Sequence, residues 1–422
     1  MAPRFQLDED DANIRSIAVQ PQVPEYAYGQ VYSQRRMAIR QWMIQQVEWE
    51  TPMLASIQKR LRAPLLDKFF VLTGMLGNHA FFFLALPFLH ILGLGPFARG
   101  VSNVVLLSVY LSGLAKDYVS APRPASPPLV HITRSPAHTF EYGFPSSHTT
   151  YVVGTIMYIT WFMYNVWNVH VLWIGVLWVF GASIVFGRIY CGLHSFVDIA
   201  GGFLVGTVEA LVLIACNDAL DSLMLSWTGP LYICGALYLA LSTIPRSLEM
   251  CPCCVDTFCA LSVIAGIYVG AWAYALLPSH IGNTDPAYIA WSTSLTLTQN
   301  VLRGVVCIGA IVAWKATSKP VAIKLVKAFI VEENEAPVGF DSEATTDVEP
   351  SQDIQESASK GHANAMRYVL PSKRDIQKGR YGTYSLMCHA EDIARVPIYS
   401  GIGFIVAFIA PVLFYYLGLA PV

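Results

Sequence analysis

The sequence predicts an all-α fold, a polytopic transmembrane helix bundle of about nine spans. Composition points there first: 54% of the 422 residues are hydrophobic and only 13% are charged, against about 25% in an ordinary soluble domain. The second observation is arrangement. The apolar residues gather into blocks of roughly 20, enough to cross about 30 Å of hydrocarbon at 1.5 Å per residue. Polar residues able to do chemistry collect at the edges of those blocks. One integral bundle is therefore expected where the length alone would fit several soluble domains.

Residues 1–67 form an N-terminal segment. The first 30 positions contain acids and no apolar core, so no cleavable signal peptide is expected. Further on, Arg35, Arg36 and Arg40 are interleaved with Met37, Ile39, Trp42, Met43 and Ile44. That pattern suits a helix lying flat on a membrane surface or packed on the outside of the bundle. The core, residues 68–318, holds apolar blocks at 69–92, 99–115, 150–168, 170–187, 195–216, 229–245, 257–277 and 299–317. A last block at 397–418 makes residues 397–422 a C-terminal transmembrane helix. Between them, 319–396 is polar, with an acidic half (Glu332 to Glu349) and a basic half (Lys360 to Arg380). Such a segment cannot bury enough apolar surface to offset its ordering entropy and is expected to be a largely disordered loop.

Three polar groups abut the blocks: KDYVSAPRP, with Lys116, Arg123 and Pro124; GFPSSHTT, with Ser146, Ser147 and His148; and GRIYCGLHSFVDIAGG, with Arg188, His194 and Asp198. An ionisable side chain at membrane depth costs about 2.5–3.5 kcal/mol even on the mildest scale, so those that persist face protein or water and have a task. Together they suit a phosphate ester. Arginine offers a planar fork matched to phosphate oxygens, and lysine a compact charge. Ser146 and Ser147, just ahead of a helix, offer backbone N–H groups at its positive end. If that third helix begins near His194, Asp198 lies one turn later on the same face. There a carboxylate can hold the proton of one imidazole nitrogen and leave the other free to attack. His148 can then supply the proton that the departing alkoxide needs.

These residues resemble the three-part signature of the type 2 phosphatidate phosphatase superfamily: Lys, six residues, Arg-Pro; then Pro-Ser-Gly-His; then Ser-Arg, five residues, His, three residues, Asp. Lys116 to Pro124, Pro145 to His148 and Arg188 to Asp198 have those spacings, with Ser147 in place of the glycine and Gly187 in place of the leading serine. The stretches YGFPSSHT and RIYCGLHSFVDIAGG look most like the sphingosine-1-phosphate phosphatase branch. The resemblance implies a metal-independent hydrolase of long-chain sphingoid base 1-phosphates. His194 would be phosphorylated transiently and oriented by Asp198, His148 would be the acid and then the base, and Lys116, Arg123, Ser146, Ser147 and Arg188 would hold phosphate. It also implies the endoplasmic reticulum membrane, with the site toward the lumen or the cell exterior, whereas a cytosolic 319–396 loop and alternation over nine spans put the motif loops on the cytosolic side.

No cofactor, metal or nucleic-acid partner is expected; the partner is the lipid phosphate itself. Other readings are a phosphatidate or polyprenyl diphosphate phosphatase of the same superfamily, or a transporter or non-catalytic lipid scaffold, which has no need of a nucleophile with its orienter. The cysteines, including CPCC at 251–254, suggest membrane-edge thiols rather than a disulfide framework or a zinc site. Tyr190 and Cys191 read as packing residues, Lys319, Lys324 and Lys327 as a lipid-facing basic stripe, and His131 and His138 as bystanders in the loop that joins the first two motifs.

Overall fold

A computed structural model describes residues 25–76, 79–133, 141–245, 247–248, 251–278, 295–329 and 390–420. His138 and the charged segment 332–380 lie outside the described residues.

The described elements are helices: α1 (Glu25–Val31), α2 (Gln34–Leu61), α3 (Pro64–Met75), α4 (His79–Ile91), α5 (Gly95–Val119), α6 (Ser147–Asn165), α7 (Val171–Tyr190), α8 (Phe196–Met224), α9 (Gly229–Ser242), α10 (Pro252–Ala275), α11 (Leu297–Phe329) and α12 (Ala390–Phe404). The last continues through a π-helical turn, Ile405–Ile409, into α13 (Ala410–Tyr416).

Among the described residues, six stretches are long and apolar enough to cross a membrane: α5, α7, α8, α10 from Cys253, α11 to Val326, and Ile393–Tyr416. The expectation of about nine spans is not confirmed among them. The block at 69–92 falls into two helices of 12 and 13 residues, α3 and α4. The block at 229–245 makes a helix of only 14 residues. In α6 the polar opening Ser147, His148, Thr149 and Thr150 dilutes the apolar character of a 19-residue helix.

α5 is the central helix, packed on α6, α8 and α10. Phe97, Val101, Val104 and Val105 of α5 meet Tyr158 of α6, Leu213 of α8 and Ile267 of α10 in one apolar cluster. Lipid offers little hydrophobic drive between helices, so close backbone approach has to supply the packing. At Gly206 of α8 a Cβ would lie 2.3 Å from the Thr150 carbonyl of α6, and at Gly266 of α10 one would lie 1.9 Å from the Ser400 carbonyl of α12. By contrast Val171, Trp173, Val179 and Phe180 of α7 point outward, as expected of a lipid-facing helix.

α2 lies against the end of the bundle where all three motifs meet. Arg36 donates to the carbonyls of Asp117 and Tyr118 and stacks 3.4 Å over the Tyr32 ring, while Arg40 pairs with Glu25 at 2.7 Å. Both arginines are thus buried against protein. Trp42, Trp49 and Met53 are exposed.

Candidate active site

α5 delivers the first cation at its C-terminal end, where the helix dipole favours positive charge. Ser120 ends the helix in a left-handed conformation (φ 54) and its N–H donates to the Lys116 carbonyl at 2.7 Å. The buried Lys116 ammonium donates to the Tyr142 carbonyl and lies 3.9 Å from Glu141 Oε2. Beyond the turn, Arg123 donates from Nε to the Glu141 carbonyl at 3.1 Å and from Nη2 to the Glu141 carboxylate at 2.8 Å. Its Nη1 donates to the Leu193 carbonyl at 2.7 Å and lies 3.1 Å from His194 Nε2.

That last contact sets the histidine's chemistry. Arginine has donors only, so Nε2 carries the lone pair and Nδ1 the proton. Nδ1 lies 3.6 Å from Asp198 Oδ2. His194 reaches this position because α7 stops sharply: Gly192 takes φ +68, and the Leu193 N–H returns to the Arg188 carbonyl at 3.1 Å. A Cβ at Gly192 would also lie 2.9 Å from the Val130 carbonyl. α8 then opens with a capping box, Ser195 Oγ accepting from the Asp198 N–H and Asp198 Oδ2 accepting from the Ser195 N–H at 2.8 Å. The carboxylate that faces His194 is therefore locked by the helix start itself. Burial above all, then the charges of Arg123 and Lys116, hold the His194 imidazole well below the usual histidine range. A neutral imidazole keeps the Nε2 lone pair that a nucleophile needs, and here that lone pair accepts from Arg123.

The second motif joins the same cluster. The Ser146 N–H donates to the Asp198 carbonyl at 3.0 Å, tying the second motif to the third, and Ser146 Oγ caps α6 by accepting from the Thr149 N–H. Both of those Ser146 groups are engaged in structure. Ser147 and His148 open α6, where first-turn N–H groups have no partner inside the helix. His148 Nε2 donates to the Gly74 carbonyl at 3.1 Å. Arg188 reaches the same corner from α7, with Nη2 3.4 Å from the Phe70 carbonyl and its buried Nε without a hydrogen-bond partner among the described residues.

The sequence pattern of the PAP2 superfamily matches residues 97–221, from the start of α5 almost to the end of α8. A dihydrosphingosine 1-phosphate phosphatase of Schizosaccharomyces pombe is 31% identical over 390 residues, 90% of this chain and 90% of that protein. The chain belongs to the PAP2 superfamily. A second dihydrosphingosine 1-phosphate phosphatase, from Saccharomyces cerevisiae, is 31% identical over 244 residues, 56% of this chain and 60% of that one. Sphingosine-1-phosphate phosphatase 2 of Homo sapiens is 29% identical over 213 residues, 48% of this chain and 51% of that one. No solved structure matches the chain.

Several residues of this PAP2 site escape sequence reading. Gly74 of α3 touches two motif residues at once, since its carbonyl accepts from His148 and a Cβ there would lie 2.1 Å from Arg188 Nη2. Nothing in the sequence marks it, because α3 stands far from the motifs along the chain. From α2, Glu50 Oε2 accepts from the Val197 N–H in the first turn of α8, and Gln58 bridges the Val130 and Tyr190 carbonyls. His131 holds the Arg123–Pro124 turn through the Pro124 carbonyl at 3.0 Å. Tyr190, read as packing, also donates to Asp67 of α3.

Among the described residues one cluster has the spacing of a metal site, Asp117 with Cys251 and Cys253. Those two cysteines are joined by a disulfide, contrary to the free-thiol reading of CPCC, and disulfide sulfur is not the thiolate that a metal takes. An apolar groove between α4 and α11, lined by Phe88, Leu92, Val301, Val305 and Ile308, has no titratable lining residue and carries no chemistry.

Proposed function

We propose that this PAP2 chain hydrolyses long-chain sphingoid base 1-phosphates to the free base and inorganic phosphate without a metal ion. Lys116, Arg123 and Arg188 hold the phosphate oxygens, with the first-turn N–H groups of α6 beside them. His194 Nε2 attacks phosphorus in line, the ester P–O bond breaks, and the departing alkoxide takes a proton from His148. Asp198 stabilises the imidazolium character at Nδ1. His148, now neutral, removes a proton from water, and the hydroxide attacks phosphorus to release His194 and phosphate. The observation that carries this reading is the pair of contacts on one imidazole, Arg123 at 3.1 Å from Nε2 and Asp198 at 3.6 Å from Nδ1. The names of the relatives supply the substrate class.

Residues 68–318 would form the catalytic core in an endoplasmic reticulum membrane, with the site facing the lumen. A lipid phosphate reaches helix mouths laterally, its tail remaining in hydrocarbon, and each buried CH₂ is worth about 0.8 kcal/mol. The test is phosphate release by purified protein from micelles of equal surface concentration. Long-chain base phosphates should be cleaved faster than phosphatidate or a polyprenyl diphosphate, far faster than glycerol phosphate, and equally well in EDTA. Comparable rates across the lipids would remove the narrow specificity, and a loss in EDTA that magnesium restores would remove the metal-independent mechanism.

A further inference from the structure

Glu141 stands among the phosphate cations without belonging to any motif. It precedes the Gly143–His148 turn, and its side chain is about one fifth exposed. Its Oε2 lies 2.8 Å from Arg123 Nη2 and 3.9 Å from Lys116 Nζ, while its carbonyl accepts from Arg123 Nε. A carboxylate placed on two of the three cations assigned to phosphate competes with phosphate for the same donors. It also adds a negative charge beside a dianion, which opposes binding. The second carboxylate of the site is different, because Asp198 faces His194 and is held by the Ser195 N–H. Glu141 therefore makes the site a poor one for a simple phosphate monoester, unless the substrate brings its own cation.

The proposed substrate does so. A sphingoid base 1-phosphate carries a protonated amine on the carbon next to the one that bears the phosphate ester. Phosphate seated on Arg123 and Lys116 would place that amine in the neighbourhood of the carboxylate it displaces. We propose that Glu141 is the specificity-determining residue of this site, exchanging its contacts with Arg123 and Lys116 for the ammonium group of the substrate. The exchange keeps every charge paired: phosphate takes the two cations and the released carboxylate takes the amine. A phosphatidate or an N-acylated lipid phosphate offers no ammonium, and the carboxylate is then left against the phosphate.

This inference rests on the long-chain base phosphatase reading, and the experiment separates the two. Phosphate release is measured for a sphingoid base 1-phosphate and for its N-acetyl derivative, which keeps the chain and the phosphate but loses the positive charge. The wild type should favour the free amine by about tenfold or more in kcat/KM, the size of a hydrogen-bonded charge pair shielded from water. Glu141→Gln should bring the ratio close to one, by slowing the amine substrate and speeding the N-acetyl one. Glu141→Asp, which keeps the charge on a shorter stem, should retain a preference of the same sign. An unchanged ratio in Glu141→Gln, with both substrates slowed equally, would make Glu141 only a positioning residue for Arg123 and overturn the proposal. Loss of the amine preference in Glu141→Asp as well as in a destabilised Glu141→Gln would overturn it too. Absence of phosphate release from either lipid by the wild type would overturn the phosphatase reading itself.

Discussion

The two ends of α5 carry the same kind of residue in opposite states. Near its start, Arg99 donates twice to Asp221 of α8, at 3.1 and 2.6 Å. The other oxygen of Asp221 accepts from Tyr268 at 2.9 Å, and the Tyr268 hydroxyl accepts from Asn103 at 2.7 Å. One cation meets one carboxylate, and the hydrogen bonds are closed by neighbours. Near its end, Lys116 joins Arg123 and Arg188 around His194 with Glu141 and Asp198 as the carboxylates of that cluster, and the Arg188 Nε is buried without a hydrogen-bond partner among the described residues. Charge that is balanced in place holds helices together, whereas a surplus of buried cations favours an incoming anion.

The two ends should differ most at His194, the proposed nucleophile. His194→Ala should lower phosphate release by about 10⁴-fold or more while leaving the melting temperature nearly unchanged, since the residue would be needed for bond-making. Residual turnover near the wild-type rate would exclude His194 as the attacking group. At the other end of α5 the expected outcome is inverted. Asp221→Asn leaves the buried Arg99 without its counter-charge and should cost on the order of 3 kcal/mol of stability, read as a lower melting temperature in detergent. The rate per folded molecule should stay within about twofold, because nothing at that end touches substrate. A specific loss of turnover there would contradict the division between the two ends.

Smaller changes sharpen the picture. Gly74→Ala puts a methyl group where Arg188 Nη2 lies, 2.1 Å from the ideal Cβ position. Displacing a guanidinium proposed to hold phosphate by about 1 Å should lower kcat/KM by roughly 10²-fold, and a normal rate would detach α3 from the chemistry. The mildest test is pH. His194 is held below 6.5, mainly by burial, so its neutral nucleophilic form persists as the solution is acidified and is lost only as pH falls through that depressed value. The acid limb of kcat/KM assigned to this residue should therefore lie below pH 6.5, the ordinary histidine value. A limb at or above it would show that the free protein does not depress His194.

Much of the site was legible because each motif is local. His194 and Asp198 stand four residues apart at the start of one helix, although α8 begins at Phe196 behind the Ser195 cap, so His194 precedes the helix and it is the capping box rather than a shared helical face that turns Asp198 toward it. The apolar blocks on either side put the residues at helix mouths. The capping box at Ser195 obeys the same short-range rule. Glu141, by contrast, is an ordinary acidic residue in a polar loop until Arg123 and Lys116 approach it. Gly74, Glu50 and Gln58 acquire a role only when α2 and α3 are laid against the motif end of the bundle. Hydropathy likewise reported where the chain is apolar but not where it turns, so one apolar block became the two short helices α3 and α4.

Membrane class, helical content and the side chains proposed for phosphoryl chemistry can be read along the chain, because hydropathy, helix periodicity and capping act over a few residues. Charge balance emerges only on folding. That depends on groups far apart in the chain meeting within a few ångströms, as Arg99 meets Asp221 and Arg123 meets Glu141, and electrostatic energy at low dielectric is set by such distances rather than by order along the chain.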